Sequence, residues 1–83
     1  MSLDRIKNKF IEKSESMELS GSHFDLIWDY VKEGLENSKA KTKKGKIKDV
    51  VSHLSDNYEN LELSSSHYDI VEMYTTEILE ECL

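Results

Sequence analysis

The amino-acid sequence predicts an all-α fold of four helices, formed by two sequence-duplicated αα-hairpins packed about a pseudo-two-fold axis. Three observations predict it. The 83 residues include no proline and only three glycines, which suits long helices with short connections and argues against a β-sandwich full of tight turns. Apolar residues recur at spacings of three and four, the helical period. One stretch is also written twice. Met17-Glu18-Leu19-Ser20-Gly21-Ser22-His23-Phe24-Asp25 returns, at an offset of 44, as Leu61-Glu62-Leu63-Ser64-Ser65-Ser66-His67-Tyr68-Asp69. Between positions 17–35 and 61–79, nine of nineteen residues are identical and four more exchange within a class. That agreement marks a repeated supersecondary unit.

The first helix is expected over 2–13, where Leu3, Ile6 and Phe10 form a narrow apolar stripe and Ile11 widens it at the end. Ser14-Glu15-Ser16 then breaks the pattern with residues that favour caps and turns. The second helix is expected over about 21–38. Two N-caps compete for it: Ser20, with Leu19 stapled on Phe24, or Ser22, with Asp25 completing a capping box. The copy offers the same choice between Ser64 and Ser66. On a helical wheel His23, Phe24, Ile27, Trp28, Tyr30, Val31 and Leu35 share one broad face, opposite Asp25, Asp29, Lys32, Glu33 and Glu36. So wide a face predicts a central helix that touches both its hairpin mate and the other repeat.

The third helix is expected to start near 47, with Ile47, Val50, Val51, Leu54 and Tyr58 apolar. Ile47, Val50 and Leu54 match Leu3, Ile6 and Phe10 at the same offset, so the duplication extends over a whole hairpin. The fourth helix, about 65–82, turns His67, Tyr68, Val71, Tyr74, Ile78, Leu79 and Cys82 inward. A single domain over 1–83 follows, with a first hairpin at about 1–38, a basic connector at 39–46 and a second hairpin at about 47–83.

Charge is unevenly placed. Residues 1–38 carry eight acids and five bases, residues 39–48 six lysines and no acid, and residues 49–83 nine acids and no Lys or Arg. The three net charges are −3, +6 and −9, and the total is −6. The single Cys82 forms no internal disulfide. The first residues lack the apolar run of a signal peptide, and no window approaches the length of a membrane span. A cytoplasmic location is the expectation.

The Ser-x-Ser-His-x-Asp box occurs at Ser20/Ser22/His23/Asp25 and again at Ser64/Ser66/His67/Asp69. Two His and two Asp brought together across an axis would be a plausible zinc set. In the simpler reading, the serines and aspartates cap helix N-termini and each His fills the edge of the core. Neither a CxxC pair nor an HExxH spacing is present, and there is no GxSxG or phosphate-cradling loop. No metal, cofactor or catalytic activity is expected.

The leading expectation is a small acidic protein–protein interaction module with a basic protein partner. Bacteriocin immunity proteins, antitoxins and phage-encoded inhibitors share this composition, a likeness of composition alone. The repeats differ at Trp28/Glu72, Asp29/Met73 and Gly34/Ile78. Specificity is therefore sought at Trp28, Asp29, Glu72, Met73, Glu77 and Glu80, although the simpler reading makes Trp28 a core anchor, and Gly34 leaves room for close packing. The alternative is a nucleic-acid-associated regulator that uses Lys39, Lys41, Lys43, Lys44, Lys46 and Lys48. A third reading is a structural homo-oligomer, such as a homodimer, with Leu26 and Ile70 in its seam.

Overall fold

Four α-helices and one 3-10 turn make up the structure, a computed structural model that describes residues 3–83. The helices are α1 (Leu3–Lys13), α2 (Gly21–Asn37), α3 (Lys43–Asp56) and α4 (Ser65–Cys82), with the 3-10 turn at Tyr58–Leu61. No strand occurs among the described residues, so the chain is all-α. Each helix packs against its neighbours in sequence, most extensively α2 on α3, and α1 closes the ring on α4. α2 therefore leans on the opposite half of the chain more than on α1, its expected hairpin mate. Residue 2, the expected start of the first helix, lies with residue 1 outside the described residues.

Both competing caps resolve to the first serine of each box. Ser20 and Ser64 occupy the N-cap positions of α2 and α4 in extended backbone. Ser64 Oγ accepts from the His67 amide at 3.2 Å. Ser20 makes no such bond, and Gly21, the residue after it, takes φ +50. Position 65 carries Ser instead, so glycine here releases the first turn of α2 from the geometry of its copy.

The third helix starts four residues earlier than expected. Thr42 is its N-cap and accepts from the Gly45 amide at 3.0 Å. A Cβ at position 45 would stand 2.8 Å from the Ala40 Cβ and 3.0 Å from Thr42 Oγ1, so only glycine fits beneath this cap. The linking segment is thus 38–42, and Lys43, Lys44, Lys46 and Lys48 belong to α3. α2 ends at Asn37, where Ser38 turns extended. Ser38 then donates to Asp49 Oδ2 at 2.6 Å, tying the turn to α3. Tyr58, expected to extend the third helix, opens the 3-10 turn instead.

Ile6, Phe10, Ile27, Trp28, Val31, Leu35, Ile47, Val50, Leu54, Val71, Ile78 and Leu79 fill the interior from all four helices. Met17 and Leu61, in the segments that lead into α2 and α4, are fully buried beside them. The Phe10 and Trp28 rings meet at 5.6 Å and 55°, so α1 is anchored by an aromatic pair of about 0.5–1.5 kcal/mol beyond its area burial. Gly34 sits where α2 crosses α3. A Cβ there would come within 3.2 Å of the Val50 Cα, so the side-chain-free position sets the closeness of that crossing. Ile11 departs from the expected stripe. It is 52% exposed and faces away from the core.

Candidate functional site

The first turns of α2 and α4 meet through the repeated histidines. The His23 and His67 rings stand edge to face at 6.1 Å. His23 Nε2 donates to the Leu61 carbonyl at 2.8 Å, and His67 Nε2 donates to the Met17 carbonyl at 2.6 Å. A carbonyl only accepts, so in both rings Nε2 carries a proton and donates it. Each acceptor residue precedes a left-handed residue, Glu18 at φ 55 or Glu62 at φ 58. The left-handed step costs about 1–2 kcal/mol for a non-glycine residue, and it turns a carbonyl out of the loop towards the histidine. The box therefore fastens each half's entry loop to the other half's helix start. Asp25 and Asp69 remain exposed and lie at neither bond. Among the described residues no three His, Cys, Asp or Glu side chains converge as a metal centre, and both Nε2 atoms are already committed to carbonyls.

Of the six residues singled out for partner binding, Trp28 is corrected. At 6% exposure it lies inside the core against Phe10, so it is the anchor of α1 and not a contact surface. Asp29 is exposed on α2, whereas Met73, Glu77 and Glu80 are exposed on α4 with Glu72 half-buried beside them. The set is thus split between two helices. Met73 is 51% exposed and, with Ile11, makes up the large hydrophobics left in solvent among the described residues. Glu81 is taken up elsewhere: Lys9 reaches it at 3.0 Å from α1. That contact, a hydrogen bond before a Coulomb effect, holds the Glu81 carboxyl below its usual range and raises the Lys9 ammonium above its own. Leu26 and Ile70, the expected seam residues, are half-buried.

Lys39 and Lys41 lie in the 38–42 segment, and Lys43, Lys44 and Lys46 form the first turn of α3 with Lys48 just beyond. Lys41, Lys43 and Lys46 line a shallow cleft of about 360 Å³ with Cys82 and Leu83. A second cleft of about 410 Å³, unforeseen in the sequence, opens between the end of α2 and α3, lined by Gly34, Asn37, Ser38, Asp49 and His53 among others. There His53 Nε2 lies 3.2 Å from Glu33 Oε1, near enough for an ion pair but not aligned for a hydrogen bond. The Asn57 side chain donates to the His53 carbonyl at 2.8 Å, and the Tyr30 ring tilts against the imidazole at 5.6 Å. A third groove, of about 450 Å³, runs between α1 and the start of α2.

No helix among the described residues is long and apolar enough to cross a membrane. Comparison of the chain with protein-family models, with curated proteins and with solved structures finds no match.

Proposed function

We propose that the chain is a non-catalytic protein-interaction module, two duplicated hairpins about a pseudo-two-fold axis, whose acidic α4 face receives a basic protein partner. An inhibitor, immunity or antitoxin-type role is the form of that reading suggested by the likeness of composition. The observation that carries the reading is Met73, half-exposed on the outer face of α4 with Asp69, Glu77 and Glu80 in solvent on the same helix. No Lys or Arg occurs from residue 49 to 83 to offset those acids. An apolar anchor among exposed carboxylates suits a partner drawn in by charge and held by contact. The pseudo-two-fold arrangement is supported by the exchanged histidine bonds, whose donors and acceptors both differ by 44 in number, and by the left-handed residues Glu18 and Glu62 at the same offset.

The test is capture from the native host lysate at graded salt, with mass spectrometry, using the wild-type chain and a Glu72→Lys/Glu77→Lys/Glu80→Lys variant. A basic protein held by the wild type and lost with either added salt or charge reversal is expected. Retention that ignores both changes removes the reading.

One observation favours a nucleic-acid reading as the alternative. Lys43 and Lys44 occupy the first turn of α3, where positive charge opposes the helix dipole at about 0.3–1 kcal/mol each. A local cost of this kind is expected at functional positions. A gel shift with the six lysines from Lys39 to Lys48 changed to alanine decides it: no affinity at low salt for the wild type ends this reading.

A further inference from the structure

We infer that the groove between α1 and the start of α2 is a docking site for an aromatic side chain carried on an acidic segment of a protein partner. The inference rests on the duplication, because the second half of the chain contains the same place already filled. There the Tyr58 ring packs on Tyr68 at 5.0 Å and 60°. At the offset of 44, Tyr68 corresponds to Phe24 and Tyr58 to Ser14. Ser14 has no ring to offer, and its hydroxyl turns back to donate to the Ile11 carbonyl at 2.8 Å. The space beside Phe24 is left as the open groove, with Lys7, Ile11, Ser14, Leu19, Phe24 and Asp25 along it.

Two further features specify the occupant. Ile11 keeps 52% of its surface in water at this groove, whereas Ser55 occupies the matching place in the filled half. An apolar wall exposed where the copy is polar suits a ring supplied from outside, which buries about 150–250 Å² when enclosed. Charge supplies the rest. The wall residue that matches Val51 is Lys7, which makes no ion pair among the described residues. Arg5, Lys9 and Lys13 of α1 act on Glu81 of α4, so Lys7 is the α1 cation at this groove. Lys9 is engaged by Glu12 and Glu81. Asp25 is the one acid along the groove. A cation on the α1 wall attracts both the face of an aromatic ring and a carboxylate next to it. This site thus takes a partner segment opposite in charge to the one received by α4.

The test is a titration followed by amide NMR on the ¹⁵N-labelled full chain. Three capped pentapeptides serve as probes: Ser-Glu-Tyr-Glu-Ser, Ser-Glu-Ala-Glu-Ser and Ser-Lys-Tyr-Lys-Ser. The acidic tyrosine peptide is expected to give saturable shifts at Ile11, Ser14 and Phe24, with much weaker effects from the other two. Ser14→Tyr, which supplies the missing ring from within, is expected to abolish them. Ile11→Ser, at an exposed position, is expected to weaken binding several-fold with the fold intact, so the inference stays testable if the first variant fails to fold. No saturable shift with the acidic tyrosine peptide, equal shifts with the alanine peptide, or binding unaffected by Ile11→Ser overturns the proposal. Tyr58→Ser tests the underlying correspondence by itself. It is expected to open a second site at Tyr68, and an unchanged Tyr68 environment would remove the duplication argument together with the proposal. A second site opened there, with no binding at Ile11 in the wild type, overturns the docking site alone.

Discussion

Replacing His23 or His67 with phenylalanine keeps a ring of similar size but deletes the donor that reaches the opposite loop. The acceptors left behind are carbonyls of Leu61 and Met17, residues whose side chains are fully buried. Orphaning a buried carbonyl costs about 1–3 kcal/mol. A chain of this size has a total stability of about 4–12 kcal/mol, so each substitution removes a large share. At a urea dependence of about 1 kcal/mol per molar, each midpoint is expected to fall by about 1–3 M. The two single variants should lose similar amounts, because donor, ring and acceptor recur in both. The double variant should depart from additivity, because the rings touch at 6.1 Å. Urea unfolding followed by Trp28 fluorescence measures all three, since Trp28 is the only tryptophan and lies in the core. Single variants within about 0.5 kcal/mol of wild type would refute the clasp.

Thr75 is fully buried and its hydroxyl has no partner, while the matching position holds Val31. Thr75→Val is therefore expected to raise stability by about 1–3 kcal/mol in the same urea assay, and a loss would show that the hydroxyl is satisfied. Gly34→Ile, which installs the residue of the copy, drives a branched side chain into the Val50 backbone. It should cost about 1–3 kcal/mol in thermal or urea unfolding, against only a fraction recovered from helix propensity. The Lys9–Glu81 pair sets a pH dependence. Because Glu81 is depressed in the folded chain, its stabilisation is present above the ordinary carboxylate range and fades as pH falls through the lowered value. Because Lys9 is raised, its share is present below the ordinary lysine range and is lost as pH climbs through the raised value. The stability difference between wild type and Glu81→Gln should therefore exist at neutral pH and vanish in acid. A difference independent of pH would contradict the assignment.

The helices were legible wherever an apolar stripe met a capping residue. α4 falls at 65–82 as the spacing implies, because Ser64 and a continuous inward face define its ends. α3 was misjudged because its first turn is lysine-rich and reads as a solvated connector. The missed signal was Thr42 three residues before Gly45, an N-cap above a position where a Cβ would crowd the Ala40 Cβ of the preceding segment. Periodicity also says nothing of residues outside helices, so the burial of Met17 and Leu61 stayed hidden although the repeat aligns them. The histidine box could be found from the sequence but not interpreted. Its partners are backbone carbonyls 38 and 50 residues away, and backbone groups leave no mark in residue identity. On the helical wheel Trp28 is the outermost member of the broad face, and only the approach of Phe10 from α1 places it inside. The open groove was implicit in the Ser14/Tyr58 mismatch, which lies outside the best-matched stretch of the repeat.

We propose the shared positions as scaffold and the acidic, Met73-bearing face of α4 as the binding surface. The most direct test is the association rate of the captured partner with wild type and with the Glu72→Lys/Glu77→Lys/Glu80→Lys variant at two ionic strengths. Each reversal adds two positive charges, so the variant brings the net charge from −6 to zero. The account expects association with wild type to be fast and steeply slowed by salt, and association with the variant to be slow and nearly independent of it. Equal association rates for the two chains at low salt would contradict it.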